Sequence, residues 1–225
     1  DGPAIDHLHA LRAAGIGNLR LSGVCHGDLR FDAGGDLTAA TVRGDLRLSD
    51  AGEIALGHIN GDIFIEKVFG VFRAERVDGD ARLNGIGGML SIGRLAGDLR
   101  AAGLAGGLAA QVHGDVALPG PYAAPGGYRL STVGDASCEL PADADVRLTV
   151  NAQGRVRSDI PLTPTGDGAP SFTATIGMGT VSVTFNVAGD ARISQAGAAG
   201  ASKSYERRGR SRSADFADPG NLGDR

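Results

Sequence analysis

A glycine repeat on two levels constrains this chain more than any other feature. The pair Gly-Asp occurs eleven times, about three times as often as the composition alone predicts. Its strongest copies recur every 17 or 18 residues and begin at Gly27, Gly44, Gly61, Gly79, Gly97 and Gly114. A second glycine follows each of the first five after eight or nine residues, at Gly35, Gly52, Gly70, Gly88 and Gly106. The repeated units are therefore far too short to fold as separate domains.

Apolar and polar residues alternate within each half of the unit. The first halves contain the apolar pairs Leu29 and Phe31, Leu46 and Leu48, Ile63 and Ile65, Ala81 and Leu83, Leu99 and Ala101, and Val116 and Leu118. The second halves contain Leu37 and Ala39, Ile54 and Leu56, Phe72 and Ala74, Leu90 and Ile92, and Leu108 and Ala110. One further apolar residue closes each coil, at Val42, Ile59, Val77, Leu95 and Val112. A spacing of two is typical of a strand with one buried face, and the helical period of about 3.6 is absent.

A unit with two such short strands cannot bury its apolar face alone, so it must stack on copies of itself. The pattern predicts an all-β fold, a single-stack parallel β-solenoid (β-helix) with coils of 17–18 residues. Glycine is expected at the corners because it gives the backbone freedom to turn sharply. The interior is expected to be narrow and aliphatic, which agrees with an aromatic content of 4% and the absence of Trp.

The aspartate of each Gly-Asp pair is predicted to lie outside, in one column with neighbours about 5 Å apart. The column contains Asp28, Asp45, Asp62, Asp80, Asp98 and Asp115. Two interactions could hold these carboxylates together. They could accept hydrogen bonds from N–H groups at the corners, or pair with a neighbouring column of Arg30, Arg47, Arg82 and Arg100. The calcium-binding solenoid repeat needs three spaced glycines that this sequence lacks, so we expect no bound calcium.

The repeats "VRGDLRLSD", "INGDIFIEK", "VDGDARLNG" and "VHGDVALPG", followed by "GTVSVTFNVAGDARI", carry a resemblance to a known family. Over roughly residues 15 to 195 the chain resembles the toastrack or adhesin-like β-strand-repeat family of bacteria. That resemblance implies a β-solenoid without enzymatic activity, often joined to membrane or envelope-related segments. It implies no functional residues, because the shared motif is itself structural. The location stays open between bacterial cytoplasm and cell envelope.

The regular spacing ends at "LPGPYAAPGGYRL", residues 118–130, where prolines interrupt the strand ladder. The sequence therefore divides into regular coils at 1–118, a Pro/Gly-rich loop at 119–130, irregular C-terminal coils and a cap at 131–195, and a disordered basic tail at 196–225. The longer strands of the third region are expected to continue the sheet and close its end.

The sequence offers no set of residues arranged for catalysis or metal binding. Phosphate-binding loops, Cys-x-x-Cys pairs and nucleophile-base-acid groupings are missing. His26 and His113 occupy equivalent positions but should lie about 24 Å apart, too far to share a metal ion. We therefore expect no enzyme, no cofactor and no small-molecule substrate. Cys25 and Cys138 are expected to be buried thiols, with a disulfide as the alternative.

Two surfaces are candidates for binding a partner. Phe64 replaces an outward arginine, and with Phe69 and Val71 it could form an exposed apolar patch; alternatively, Phe64 packs under a loop and Phe69 folds over the corner. The tail residues Lys203, Arg207, Arg208, Arg210 and Arg212 could bind a polyanion or an acidic lipid surface, or could simply be solvated. We expect nucleic acid or an anionic surface to be bound only through this tail.

The sequence favours a non-catalytic structural or interaction domain, a rigid scaffold or binding surface with a protein partner or self-association. Two alternatives remain. One is a bactofilin-like protein that forms filaments through its coil ends, and the other is a polyanion or membrane-surface binder that acts through the basic tail. No apolar run reaches the roughly 18 residues needed to span a membrane.

Overall fold

The computed structural model describes residues 7–8, 10–15, 17–120, 122, 124, 126–165, 170–196 and 203–205. These residues form 23 strands and no helix. Successive coils stack mainly in parallel into two long sheets. Neighbouring coils are offset by 17 or 18 residues, as in the pairing of Leu29 with Leu46 and of Ile63 with Ala81. The predicted all-β, single-stack parallel solenoid is confirmed.

The strands are numbered along the chain, and their order within each sheet is spatial. The 12-stranded sheet contains β1 (His7–Leu8), β3 (Leu19–Cys25), β5 (Leu37–Val42), β7 (Ile54–Ile59), β9 (Phe72–Val77), β11 (Leu90–Leu95), β13 (Leu108–Val112), β15 (Tyr128–Thr132), β21 (Val181–Val187), β17 (Val146–Ala152), β20 (Ser171–Ile176) and β19 (Thr163–Pro164). The 11-stranded sheet contains β2 (Leu11–Ala14), β4 (Leu29–Asp32), β6 (Leu46–Ser49), β8 (Ile63–Ile65), β10 (Ala81–Ile86), β12 (Leu99–Leu104), β14 (Val116–Pro119), β16 (Ala136–Leu140), β22 (Ala191–Gln195), β18 (Val156–Ser158) and β23 (Lys203–Tyr205).

The predicted apolar pairs fill the interior between the two sheets. Every one of them is buried, and so are the five residues that close the coils. Burial of a large aliphatic or aromatic side chain contributes about 1.5–3 kcal/mol. The stacked rows of these side chains are therefore the main stabilising feature of the fold.

A third row of interior residues lies at the turn after the strands of the 11-stranded sheet. Ala51, Val68 and Ile86 are joined there by isolated parallel bridges. The preceding coil has Gly34 in this position, and the ring of Phe31 occupies the space that a side chain on Gly34 would need. The large ring and the missing side chain compensate for each other, which keeps the interior close-packed.

The C-terminal coils do not stack in chain order. β21 lies between β15 and β17 in one sheet, and β22 lies between β16 and β18 in the other. A later coil is thus inserted between two earlier ones, and Phe185 is aligned between Leu130 and Val150. The long strands continue the sheets, as the sequence predicts, but their spatial order differs from their order in the chain.

Antiparallel strands follow the last parallel coil. β20 pairs with β17 and β19 pairs with β20, while β23 pairs with β18 in the other sheet. Strand β23 falls within the segment 196–225, for which the sequence predicts disorder. The rest of that segment beyond Ala196, including Arg207, Arg208, Arg210 and Arg212, lies outside the described residues.

The predicted loop at 119–130 is partly absorbed into the stack. Pro119 is the last residue of β14, and Tyr128 is the first residue of β15. Between these strands Tyr122 is buried, and its ring meets the ring of Tyr128 edge-on with centroids 4.8 Å apart. The proline-rich stretch therefore contributes an aromatic residue to the interior.

Both cysteines are free, buried thiols, as predicted. Burial raises the pKa of Cys138 to about 12, which keeps this thiol protonated and unreactive at neutral pH. Within the described ranges, no helix has the length and apolar character needed to cross a membrane.

Candidate functional site

A continuous hydrogen-bonded row of aspartates runs along one corner of the solenoid. In each coil the carboxylate Oδ1 accepts a hydrogen bond from the backbone N–H at the equivalent position of the next coil, at 2.7 to 3.0 Å. This aspartate row comprises Asp28, Asp45, Asp62, Asp80, Asp98, Asp115, Asp135 and Asp190, and the last donor is the N–H of Arg155. Of the two interactions proposed from sequence, the hydrogen bond to a corner N–H is the one that holds the row.

The corner glycines are needed for space and not for backbone freedom. None of the glycines that precede the aspartate row has a positive φ. A Cβ on Gly61 would lie 2.6 Å from Asp45 Oδ1 and 2.6 Å from the carbonyl carbon of Gly44. The sequence-based explanation, a sharp turn that only glycine can make, is wrong at these corners. Glycine and aspartate recur together because the carboxylate of one coil occupies the space beside the glycine of the next.

The row requires a hydrogen-bond acceptor but not a charge. At the opposite corner the amide Oδ1 of Asn18 accepts the N–H of Asp36 at 2.9 Å in the same way. Asp36 Oδ1 then accepts the N–H of Glu53 at 2.8 Å. Since an uncharged amide supports this contact, the negative charge of the aspartate row is available to a ligand.

A second column lies beside the aspartate row on the outer face of the 11-stranded sheet. The strand register aligns its members in the spatial order Arg12, Arg30, Arg47, Phe64, Arg82, Arg100, Ala117, Ser137, Arg192 and Arg157. We call this set the arginine column. It extends the predicted column of four arginines in both directions.

The predicted pairing between arginine and aspartate columns is nearly absent. Arg47 approaches Asp45 at 3.5 Å, whereas Arg30 binds Asp32 on its own strand at 2.7 Å. In the described part of the chain, no ion pair within 4.0 Å engages Arg100, Arg157 or Arg192.

The three residues of the predicted apolar patch have different surroundings. Phe64 is half-buried between the guanidinium groups of Arg47 and Arg82, which lie 5.2 and 5.6 Å from its ring centroid. Such cation–π contacts make it a member of the arginine column. Phe69 lies at the turn toward the 12-stranded sheet and is 60% exposed, with Lys67 Nζ 4.6 Å from its ring. Val71 is partly buried at the start of β9.

A cleft of about 500 Å³ opens where the arginine column is interrupted. Its floor carries Ala117 and Ser137, which are too short to fill the space that arginine occupies in other coils. Arginines stand at both ends of this arginine cleft, with Arg82 and Arg100 at one end and Arg155, Arg157 and Arg192 at the other. The aspartate row from Asp80 to Asp190 forms its flank. Arg100 and Arg192 are three coils apart, about 14 Å at the usual strand spacing.

Carboxyl groups with a displaced pKa lie outside the arginine cleft. The hydrogen bond from Arg30 lowers the pKa of Asp32, the hydrogen bond from His58 lowers that of Asp78, and the hydroxyl of Thr180 lowers that of Asp145. Among the described residues no three His, Cys, Asp or Glu side chains are grouped as a metal site would require.

The sequence analysis did not find the arginine cleft. Arg155, Arg157 and Arg192 come after the regular spacing has ended, and only the insertion of β22 between β16 and β18 brings them beside Arg100. The signal that was available was the change from arginine to Ala117 in an otherwise regular coil. The predicted binding residues Arg207, Arg208, Arg210 and Arg212 lie outside the described residues, and for Lys203 only the backbone position in β23 is described.

Comparison with known protein families, with curated proteins and with solved structures gives no significant match for this chain.

Proposed function

We propose that this protein is a non-catalytic interaction scaffold, a rigid solenoid that presents a binding surface on the outer face of its 11-stranded sheet. The observation that carries the proposal is the arginine cleft, a concave site with exposed arginines on a face that the aspartate row stiffens. Concave sites with a few convergent polar groups are the usual places for ligands to bind.

The chemistry of the cleft supports binding better than catalysis. Its lining consists of Asp, Arg, Ser, Ala, Leu and Val side chains, without a histidine or cysteine to act as base or nucleophile. Its hydroxyl group, Ser137 Oγ, donates to the carbonyl of Val116 at 3.3 Å. Each aspartate commits one carboxylate oxygen to the ladder, as it does in coils remote from the cleft.

The arrangement of the strand ends favours a scaffold over a filament. A solenoid that polymerises through its ends needs parallel edge strands that a second copy can extend. At the C-terminal end of the described stack, antiparallel β19 and β23 occupy the edges. An adhesin-like role, in line with the resemblance to the toastrack family, agrees better with this capped end than a bactofilin-like role.

A surface-blocking experiment tests the proposal. Ser137→Cys places a reactive thiol in the cleft, and Ala55→Cys places one on the exposed face of β7 in the other sheet. Because the native cysteines are buried, a maleimide polymer should modify only the new thiols. Retention on immobilised bacterial envelope fragments should be lost when position 137 is blocked and kept when position 55 is blocked. Equal retention of both, or no retention of the unmodified protein, would overturn the proposal.

A further inference from the structure

We infer that the arginine cleft binds an acidic oligosaccharide, a short chain of sugars that carries carboxylates at intervals, as uronates do. The inference rests on the proposed function and names the ligand class for the same surface. It follows from the presence of both charges in one cleft, with arginines at its two ends and carboxylates along its flank.

The ends of the cleft are suited to anionic groups. A guanidinium group is planar and presents paired donors that match a carboxylate. Arg100 at one end and Arg157 and Arg192 at the other are exposed, and no ion pair with a described carboxylate competes for their donors. The two ends therefore recognise two anionic groups separated by about three coils, on the order of 14 Å.

The flank of the cleft is suited to hydroxyl groups. Each aspartate of the flank uses Oδ1 to accept a backbone N–H, so Oδ2 remains to accept a hydrogen bond from a ligand hydroxyl. Such bonds between a hydroxyl and a carboxylate are short and strengthened by the charge. Sugar hydroxyls between two uronate carboxylates would meet this row.

The same flank argues against nucleic acid. A nucleic acid strand carries a negative charge about every 3.4 Å. Laid along the cleft, it would place phosphates beside a row of carboxylates spaced about 4.8 Å apart. Repulsion would offset the attraction of the arginines. A ligand with widely spaced anionic groups avoids this conflict.

The floor sets the size of the ligand. Ala117 and Ser137 replace two consecutive members of the arginine column, so the open length is two coils between Arg100 and Arg192. The lining contains no aromatic ring on which a sugar could stack. Binding should therefore depend mainly on ion pairs and hydrogen bonds, and it should weaken as the salt concentration rises.

Calorimetry of the full chain with hexagalacturonate in low-salt buffer tests the inference. The variant Arg100→Gln/Arg192→Gln, which removes one guanidinium at each end, should weaken binding by about tenfold or more. Arg12→Gln is the matched control because Arg12 belongs to the same column five coils from Arg100. It should bind like the wild type. Equal affinities of the double variant and the control would overturn the inference.

Ala117→Arg separates a shaped site from general electrostatic attraction. Arginine occupies this column in seven other coils, so the variant should fold normally. The inference predicts that the added side chain fills the cleft and abolishes hexagalacturonate binding. Tighter binding by this more cationic variant would overturn it.

Single-stranded DNA and a neutral oligosaccharide complete the test. Asp98→Asn/Asp115→Asn keeps the ladder acceptors and removes two charges, so it should weaken hexagalacturonate binding and strengthen DNA binding. If the wild type bound DNA or the neutral sugar more tightly than hexagalacturonate, the ligand class would be wrong. The proposed function fails separately: it requires that a block at position 137 release envelope fragments, whichever component of those fragments is bound.

Discussion

The regular coils between residues 11 and 118 and the C-terminal coils between residues 128 and 195 use the same ladder with different chain connections. In the regular coils each aspartate accepts a hydrogen bond from a residue 17 or 18 positions later. In the C-terminal coils Asp135 accepts from Asp190, 55 positions later, and Asp190 accepts from Arg155, 35 positions earlier. Both of these hydrogen bonds are 2.7 Å long, within the range seen in the regular coils.

This comparison shows that stacking depends on the shape of a coil and not on its place in the chain. Every coil presents the same corner, the same apolar pairs and the same acceptor to its neighbours, so a coil can be inserted wherever the chain reaches. The cost falls on folding, because closing loops of 35 and 55 residues costs more entropy than closing 17. We therefore expect the C-terminal coils to form after the regular ones.

The largest expected effect comes from cavities in the two regions. Phe31→Ala and Phe185→Ala should each lower the free energy of unfolding by about 3–5 kcal/mol. Both rings are buried. Phe185 lies in the inserted strand between Leu130 and Val150, so its loss should loosen three coils at once. Hydrogen exchange should then show lost protection in residues 128–195 and retained protection in the central coils.

Phe31→Ala is the matched control for that pattern. Its cavity lies in the second coil, so lost protection should be confined to the N-terminal coils while the C-terminal coils remain protected. If both variants lost protection over the whole chain, the two regions would form one cooperative unit.

The next effect concerns the corner glycines. Gly97→Ala and Gly189→Ala should each cost about 1–3 kcal/mol, the usual cost of inserting atoms into a packed site. In both cases the new Cβ would meet the aspartate and glycine of the coil below. Gly17→Ala is the control, because nothing lies within 4 Å of a Cβ at that position. Chemical denaturation measures all three, and a Gly97→Ala variant as stable as Gly17→Ala would contradict the steric explanation.

A smaller effect tests what the aspartate row requires. Asp98→Ala and Asp190→Ala should each cost about 1 kcal/mol, since each removes one hydrogen bond. Asp98→Asn and Asp190→Asn should retain most of the stability, because Asn18 makes the same contact. Equal losses for Ala and Asn in thermal unfolding would show that the ladder needs the charge, and equal behaviour of the two positions is expected despite their different connections.

Much of the regular region could be predicted from sequence because its signal is local. The apolar pairs from Leu29 to Leu118 repeat at a spacing that only stacked coils satisfy, and their burial follows directly. The position of the aspartates in one hydrogen-bonded column could be predicted as well. The true reason for the glycines could not, since it depends on a contact between coils that only coordinates reveal.

The order of the C-terminal coils could not be predicted from sequence. Gly134, Gly154 and Gly189 begin coils of the same kind, so no local pattern indicates which one stacks on which. The arginine cleft depends on this order, because Arg157 and Arg192 reach the arginine column only through the inserted coil. A site built from one regular and one rearranged region is hidden from any reading that follows the chain in sequence.

The smallest effect distinguishes the two regions by pH and salt. Asp32 in the regular region has a lowered pKa because Arg30 donates to it, with Ser49 as a second donor. Asp145 in the C-terminal region has a lowered pKa because Thr180 and the N–H of Gly179 donate to it. A carboxyl group whose pKa is lower in the folded state adds stability above its unfolded pKa of about 3.9, and this stability is lost as the pH falls through the folded pKa.

Asp32→Asn and Asp145→Asn should therefore lower the Tm at pH 6, and the differences from wild type should shrink as the pH falls toward about 3. Salt should separate the two variants. The partner of Asp32 is a cation on the surface, so its contribution should decrease in about 1 M NaCl, where the Debye length is about 3 Å. The partners of Asp145 are an uncharged hydroxyl and an amide, so its contribution should persist. The same salt dependence at both positions would mean that the two regions hold their carboxylates by the same kind of interaction.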